Sequence, residues 1–185
     1  MVDGEDWTMA SEQNKTLEAL QTAIQMEIDG KAFYLKASRE TTNEMGRKLL
    51  ESLASEEDMH RKKFNEIYEA VRNKKDWPVS DFTPDGGKTL RTVFAGALEK
   101  FDSNVKAPES ELEAVQTAMD MENKSFDFYN MQAKNASGDV ERNFYKMVAA
   151  EEQEHHIVLL DYYEYLKDPA GWFASKERSS LDGGR

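Results

Sequence analysis

Glu57-Asp58-Met59-His60 and Glu152-Gln153-Glu154-His155 each place a glutamate three residues ahead of a histidine. On a helix that spacing sets both side chains on one face. Around the first copy an apolar seam runs Leu50, Leu53, Phe64, Ile67, Val71 in steps of three and four, and Glu57 and His60 fill the two positions it skips. The second copy runs Tyr145, Val148, Glu152, His155, Leu159, Tyr162, Leu166. In both, a carboxylate and an imidazole stand mid-helix where a leucine is expected, facing a core. Unpaired burial of such groups costs several kcal/mol each, about the scale of a whole domain's stability when summed. A bound metal is the natural compensation.

Working outward, the chain repeats itself. A shift of 95 residues lays Leu17–Tyr34 on Leu112–Tyr129 with 10 of 18 positions identical, and without a gap it carries Glu57 onto Glu152 and His60 onto His155. Glu27 falls on Glu122, and each is followed seven residues later by a tyrosine, Tyr34 and Tyr129. Glu27 interrupts the seam between Ile24 and Tyr34, Glu122 that between Met119 and Phe126. The repeat predicts two helix hairpins, 16–73 and 109–167, related by a pseudo-two-fold axis. The first turns at Thr41-Thr42-Asn43-Glu44, which reads as a capping box, and the second at Ser137-Gly138-Asp139.

The segment 74–108 is richer in turn signals, Trp77-Pro78, Thr83-Pro84 and Asp85-Gly86-Gly87, followed by a short amphipathic helix through Leu90, Val93, Phe94, Ala97, Leu98 and Phe101. So long a connection can cross the length of a bundle and let the second and third long helices run parallel. The expected fold is all-α: a four-helix bundle with a crossover that holds a short extra helix. Residues 1–15 read as a flexible leader. Asp168-Pro169-Ala170-Gly171 stops the fourth helix and opens a tail, 168–185, in which Trp172 and Phe173 should dock and Ser179–Arg185 should fray.

Composition narrows the function. No cysteine is present, which excludes disulfides, thiolate metal sites and cysteine catalysis for this chain. The net charge of −12 argues against a nucleic-acid partner. Nothing approaches the roughly 18 apolar residues of a membrane span, and no secretory signal is visible, so a cytoplasmic location is expected.

The repeat brings together Glu27, Glu57, His60, Glu122, Glu152 and His155. Four carboxylates and two neutral imidazoles are balanced by two divalent cations, and oxygen with imidazole donors suits iron or manganese, with zinc open. Two carboxylates can bridge, two can cap, and one histidine completes each side. Off the seam, Glu56 and Glu151 read as surface groups or as groups behind the ligands, and His156 as a solvated or structural histidine. Met26, Met119 and Met121 read as packing.

One Glu from each of two helices and Glu-x-x-His from each of the others is the arrangement of ferritin-like di-metal carboxylate bundles. The chain resembles the rubrerythrin family of that superfamily over roughly Leu17–Leu166. The carriers are the equal Glu-to-Glu spacing in both halves, the Glu-Glu pair before each histidine, and the two tyrosines. The resemblance implies a di-iron oxidoreductase reducing hydrogen peroxide or dioxygen; Tyr34 and Tyr129 read either as core aromatics with satisfied hydroxyls or as groups bonded behind the ligand glutamates. Rubrerythrin proper has a cysteine-built rubredoxin-like site; this chain has no cysteine, so an external electron-donor protein, rubredoxin-like or similar, is expected. Rubrerythrin proper also has a further Glu one turn after its third-helix ligand, where this chain has Ser125. The resemblance therefore does not carry a redox-linked ligand exchange, or full peroxidase efficiency, onto this chain. Two other readings stay open: an iron-binding or ferroxidase protein for sequestration or delivery, and manganese-catalase-like disproportionation. A homodimer is expected, with exchange of hairpins between chains as one form and the helix around Val93–Phe101 at the contact.

Overall fold

The structure, a computed structural model, describes residues 4–79, 81–98 and 107–182. Six helices and no strands occur among them: α1 Gly4–Glu40, α2 Glu44–Arg72, α3 Lys88–Leu98, α4 Glu109–Asn135, α5 Asp139–Lys167 and α6 Pro169–Asp182. None is long and apolar enough to cross a membrane.

The seams decide the packing. The stripe on α2 buries Leu50, Leu53, Phe64 and Ile67, and that on α5 buries Tyr145, Val148, Leu159 and Tyr162. Three residues join α1 to α2 and α4 to α5, so each pair folds back as an antiparallel hairpin. The cross-hairpin contacts fix the rest. Tyr34 reaches Glu122 while Tyr129 reaches Glu27, so numbers fall along α4 as they rise along α1. His60 faces Glu152 while His155 faces Glu57, which makes α2 and α5 antiparallel too. Helices α2 and α4 are consequently parallel, the long crossover joins them, and the result is a ferritin-like bundle. Within the crossover α3 packs on both α2 and α5. It is capped by Asp85, whose carboxylate accepts from the N–H groups of Lys88 and Thr89 at 3.1 Å. Phe101 and its neighbours, part of the expected short helix, lie outside the described residues.

Buried apolar side chains form two clusters. One gathers Leu49, Leu53, Val115, Leu159 and Tyr162; the other gathers Leu20, Phe64, Tyr129, Phe144 and Tyr145. Glu27, Glu57 and Glu152 fall between members of the two along their own helices.

Three local expectations are corrected. The leader is helical from Gly4: no proline or glycine between Glu5 and Lys15 interrupts α1, although no apolar seam announces it. The cap of α2 is Asn43, whose side chain accepts from the Gly46 N–H at 2.6 Å, and no capping box forms. Thr41 still belongs to the end of α1, its N–H donating to Ala37 O at 2.9 Å. Its hydroxyl, buried, instead donates to Glu111 of α4, which also accepts from Tyr162 at 2.7 Å and from Thr42 and Asn43 at 3.2 Å. That network ties the turn of one hairpin to both helices of the other. Lastly, Pro169 stops α5 but begins α6: Asp168 Oδ1 accepts from Gly171 N–H at 3.0 Å, and proline is well placed in a first turn. Trp172 docks from α6 against Phe94 and Tyr165, with ring centroids 5.3 and 5.8 Å away. Of the expected frayed end, Ser179–Asp182 belong to α6 and 183–185 lie outside the described residues.

Candidate metal centre

Helix α1 brings Glu27, α2 Glu57 and His60, α4 Glu122, and α5 Glu152 and His155. All six are buried at 4% exposure or less, and the structure gathers them in one place midway along the bundle. Both imidazoles turn Nδ1 inward. His60 Nδ1 is 3.4 Å from Glu27 Oε2 and 3.2 Å from Glu152 Oε1. His155 Nδ1 is 3.4 Å from Glu57 Oε1, 3.6 Å from Glu122 Oε2 and 3.9 Å from Glu152 Oε2. Glu152 thus offers one oxygen to each histidine. Glu57 stands in both halves of the cluster, with Glu27 and His60 on one side and with Glu122, Glu152 and His155 on the other. The two rings stack with centroids 5.7 Å apart.

Five of these inward atoms have no hydrogen-bond partner although they are buried: Glu27 Oε2, Glu57 Oε1, Glu152 Oε1 and Nδ1 of both histidines. An orphaned buried polar atom costs about 1–3 kcal/mol, more when charged. Five facing one space are hard to reconcile with a core finished by protein alone. They fit a pair of divalent cations, whose charge matches the four carboxylates.

The electrostatics agree. Burial, then Glu27 and Glu152, push the Glu57 carboxyl well above the usual range, and burial, then Glu122 and Glu27, do the same to Glu152. Burial also acts to raise Glu122, but the adjoining His155 outweighs it and holds that carboxyl below its usual value. Burial acts to lower both histidines, yet Glu27 beside His60 and Glu122 beside His155 carry them upward, His155 furthest. Without a cation, protons do the neutralising; a metal would displace them.

Tyrosines cross between hairpins behind the cluster. Tyr129 donates to Glu27 Oε1 and Tyr34 to Glu122 Oε1, which leaves the Oε2 atom of each carboxylate facing a histidine. Burial, then those same carboxylates, raise both phenols well above their usual pKa, so they stay donors. At Gly30, one turn after Glu27, a Cβ would come 2.9 Å from Glu57 Oε2, so only glycine leaves that carboxylate its place. Its repeat mate is the half-buried Ser125.

Of the two readings of Glu56 and Glu151, the surface one is corrected, since they are 5% and 4% exposed, and Glu56 takes the other, behind a ligand histidine. Glu56 Oε2 lies 2.9 Å from His155 Nε2, and Glu151 Oε1 accepts from Gly86 N–H at 3.1 Å. Helical period alone puts them off the seam; the crossover covers that flank. The available signal was their recurrence, one residue before the seam glutamate in both halves. His156 is half-buried with Nδ1 3.3 Å from Met119 O, a structural position. Sequence reasoning also missed Asp58, which bonds Lys31 of α1 at 2.8 Å and Lys62 at 3.0 Å and ties the first hairpin outside the cluster. On the crossover side a cleft of about 590 Å³ reaches His60, Glu56 and Glu151, and Phe82 lies edge-on to His60 with centroids 5.5 Å apart.

An antiparallel-hairpin bundle with a buried four-glutamate, two-histidine cluster defines the class: a ferritin-like bundle able to hold metal. The family model for rubrerythrin matches residues 18–163, and the chain belongs to the rubrerythrin family. No curated protein and no solved structure matches the chain.

Proposed function

We propose that this chain is a di-iron oxidoreductase that reduces hydrogen peroxide with electrons from an external donor. The observation that carries the reading is the set of five buried, unpartnered donor atoms converging between two inward-turned imidazoles, in a chain of the rubrerythrin family. Glu57 and Glu152 would bridge two metals, Glu27 with His60 and Glu122 with His155 completing the two sides. Iron suits this donor set best; manganese and zinc are accepted by the same chemistry. When bound, the iron pair would supply the two electrons that, with two protons, convert peroxide to two waters, and the donor would return them.

The chain's own contribution is arrangement. Tyr34 and Tyr129 each occupy one oxygen of a terminal carboxylate and so point the other at the centre. The two apolar clusters close off the ligands along the bundle axis, which strengthens the charge interactions within, while the crossover-side cleft reaches His60. No cysteine is present, so the donor group lies outside these residues.

The test is anaerobic loading with ferrous iron followed by excess peroxide and a limiting amount of reductant. The expected outcome is two irons per chain, peroxide consumed without dioxygen, and repeated turnover only while reductant lasts. Dioxygen release would favour disproportionation. A single round of iron oxidation, with the iron then retained, would favour sequestration, and with the iron released, delivery; any of these results ends the peroxidase reading.

A further inference from the structure

The 95-residue shift that carries His60 onto His155 also carries Glu56 onto Glu151. Under an unbroken two-fold, each carboxylate would bond the outer nitrogen of the histidine on the facing helix. Only one does so. Glu56 Oε2 is 2.9 Å from His155 Nε2 with both side chains buried, whereas Glu151 takes the backbone N–H of Gly86 at 3.1 Å. Gly86 has φ 64°, a left-handed conformation that glycine adopts readily, and it lies in the crossover. Its position in the second repeat would be Leu181, inside α6, so nothing there mirrors the turn. No hydrogen bond to the outer nitrogen of His60 is present among the described residues; that ring meets the edge of Phe82 instead.

We propose that Glu56 is a positioning residue for His155, and that the crossover, by diverting Glu151, makes the two metal positions unequal. The His155 position is the tight one. The His60 position, beside the cleft, is the weak and exchangeable one. This rests on the dinuclear reading above. The physical basis is the tautomer: ligation through Nδ1 leaves the hydrogen on Nε2, and a carboxylate that accepts it fixes the ring and raises the basicity of the ligating nitrogen. His155 has that support and His60 lacks it.

The experiment uses the full chain stripped of metal and titrated with Zn(II), followed by calorimetry and by NMR of ¹⁵N-histidine-labelled protein. Wild type should bind two zinc ions in two resolved steps. It should show one slowly exchanging ring N–H, that of His155. E56A should weaken the tight step by about 10- to 100-fold, leave the weak step unchanged, and lose the protected resonance. E56Q keeps an acceptor oxygen and should keep the resonance, which also carries the test if E56A does not fold. E151A should change neither step. Equal effects of E56A and E151A, retention of the resonance in E56A, its loss in E56Q, or two protected resonances in wild type would overturn the proposal. Fewer than two zinc ions on the wild-type chain would instead overturn the dinuclear reading beneath it.

Discussion

Glu152→Ala is expected to lower the metal content from two ions per chain to one at most. Glu152 is the carboxylate with one oxygen 3.2 Å from His60 Nδ1 and the other 3.9 Å from His155 Nδ1, so truncation withdraws a ligand from both positions at once. Loss of a group behind a ligand already weakens binding by about 10- to 100-fold, and loss of a shared ligand should exceed that. The control is Glu154→Ala on the same turn, whose carboxylate bonds Arg91 on the crossover side and whose loss should leave loading intact. The measurement is metal analysis after anaerobic loading and gel filtration. Two ions retained by Glu152→Ala would show that Glu152 does not bridge.

Metal removal is expected to have the second large effect. Binding restricted to the folded chain stabilises it by about 4 kcal/mol per site at a thousandfold excess over Kd. For a chain of this size that corresponds to roughly 8–16 °C in Tm for each site. The five orphaned atoms supply the structural reason, since the metal-free fold holds them buried without hydrogen-bond partners. Thermal melts with and without chelator read the difference, and an unchanged Tm would mean that the cluster is completed by protons alone.

Much of this was legible because the sequence signals were local and doubled. Helices α4 and α5 begin and end where Pro108, Gly138 and Pro169 punctuate the chain. The six clustered side chains are visible because each replaces an apolar residue in a regular seam, and the repeat shows each twice. What the sequence hid depends on groups distant along the chain. Gly4–Lys15 has no seam to reveal a helix, although nothing in it stops one. Thr41 carries the hydroxyl a cap needs, but Glu111, 70 positions later, takes it. Glu56 and Glu151 sit where a two-helix contact would leave them in water; His155 of α5 takes Glu56 inward, and Gly86 of the crossover meets Glu151. Pro169 marks a break in the sequence, and the helix that follows it places Trp172 against Tyr165 and against Phe94, a group distant along the chain.

The apolar core is not continuous. One cluster collects around Leu53, Leu159 and Tyr162, the other around Phe64, Tyr129 and Phe144, and the polar belt of glutamates and histidines lies between. In a metal-free chain a few side-chain hydrogen bonds cross that belt, Tyr34 to Glu122, Tyr129 to Glu27 and Glu56 with His155, so each cluster can loosen largely on its own. Filled with metal, as proposed above, the belt would join all four long helices at one level, and the ligand state would set cooperativity. Calorimetric and van't Hoff enthalpies should coincide for the loaded protein, while in the metal-free protein the calorimetric value should exceed the other, the mark of two half-cores melting as separate units.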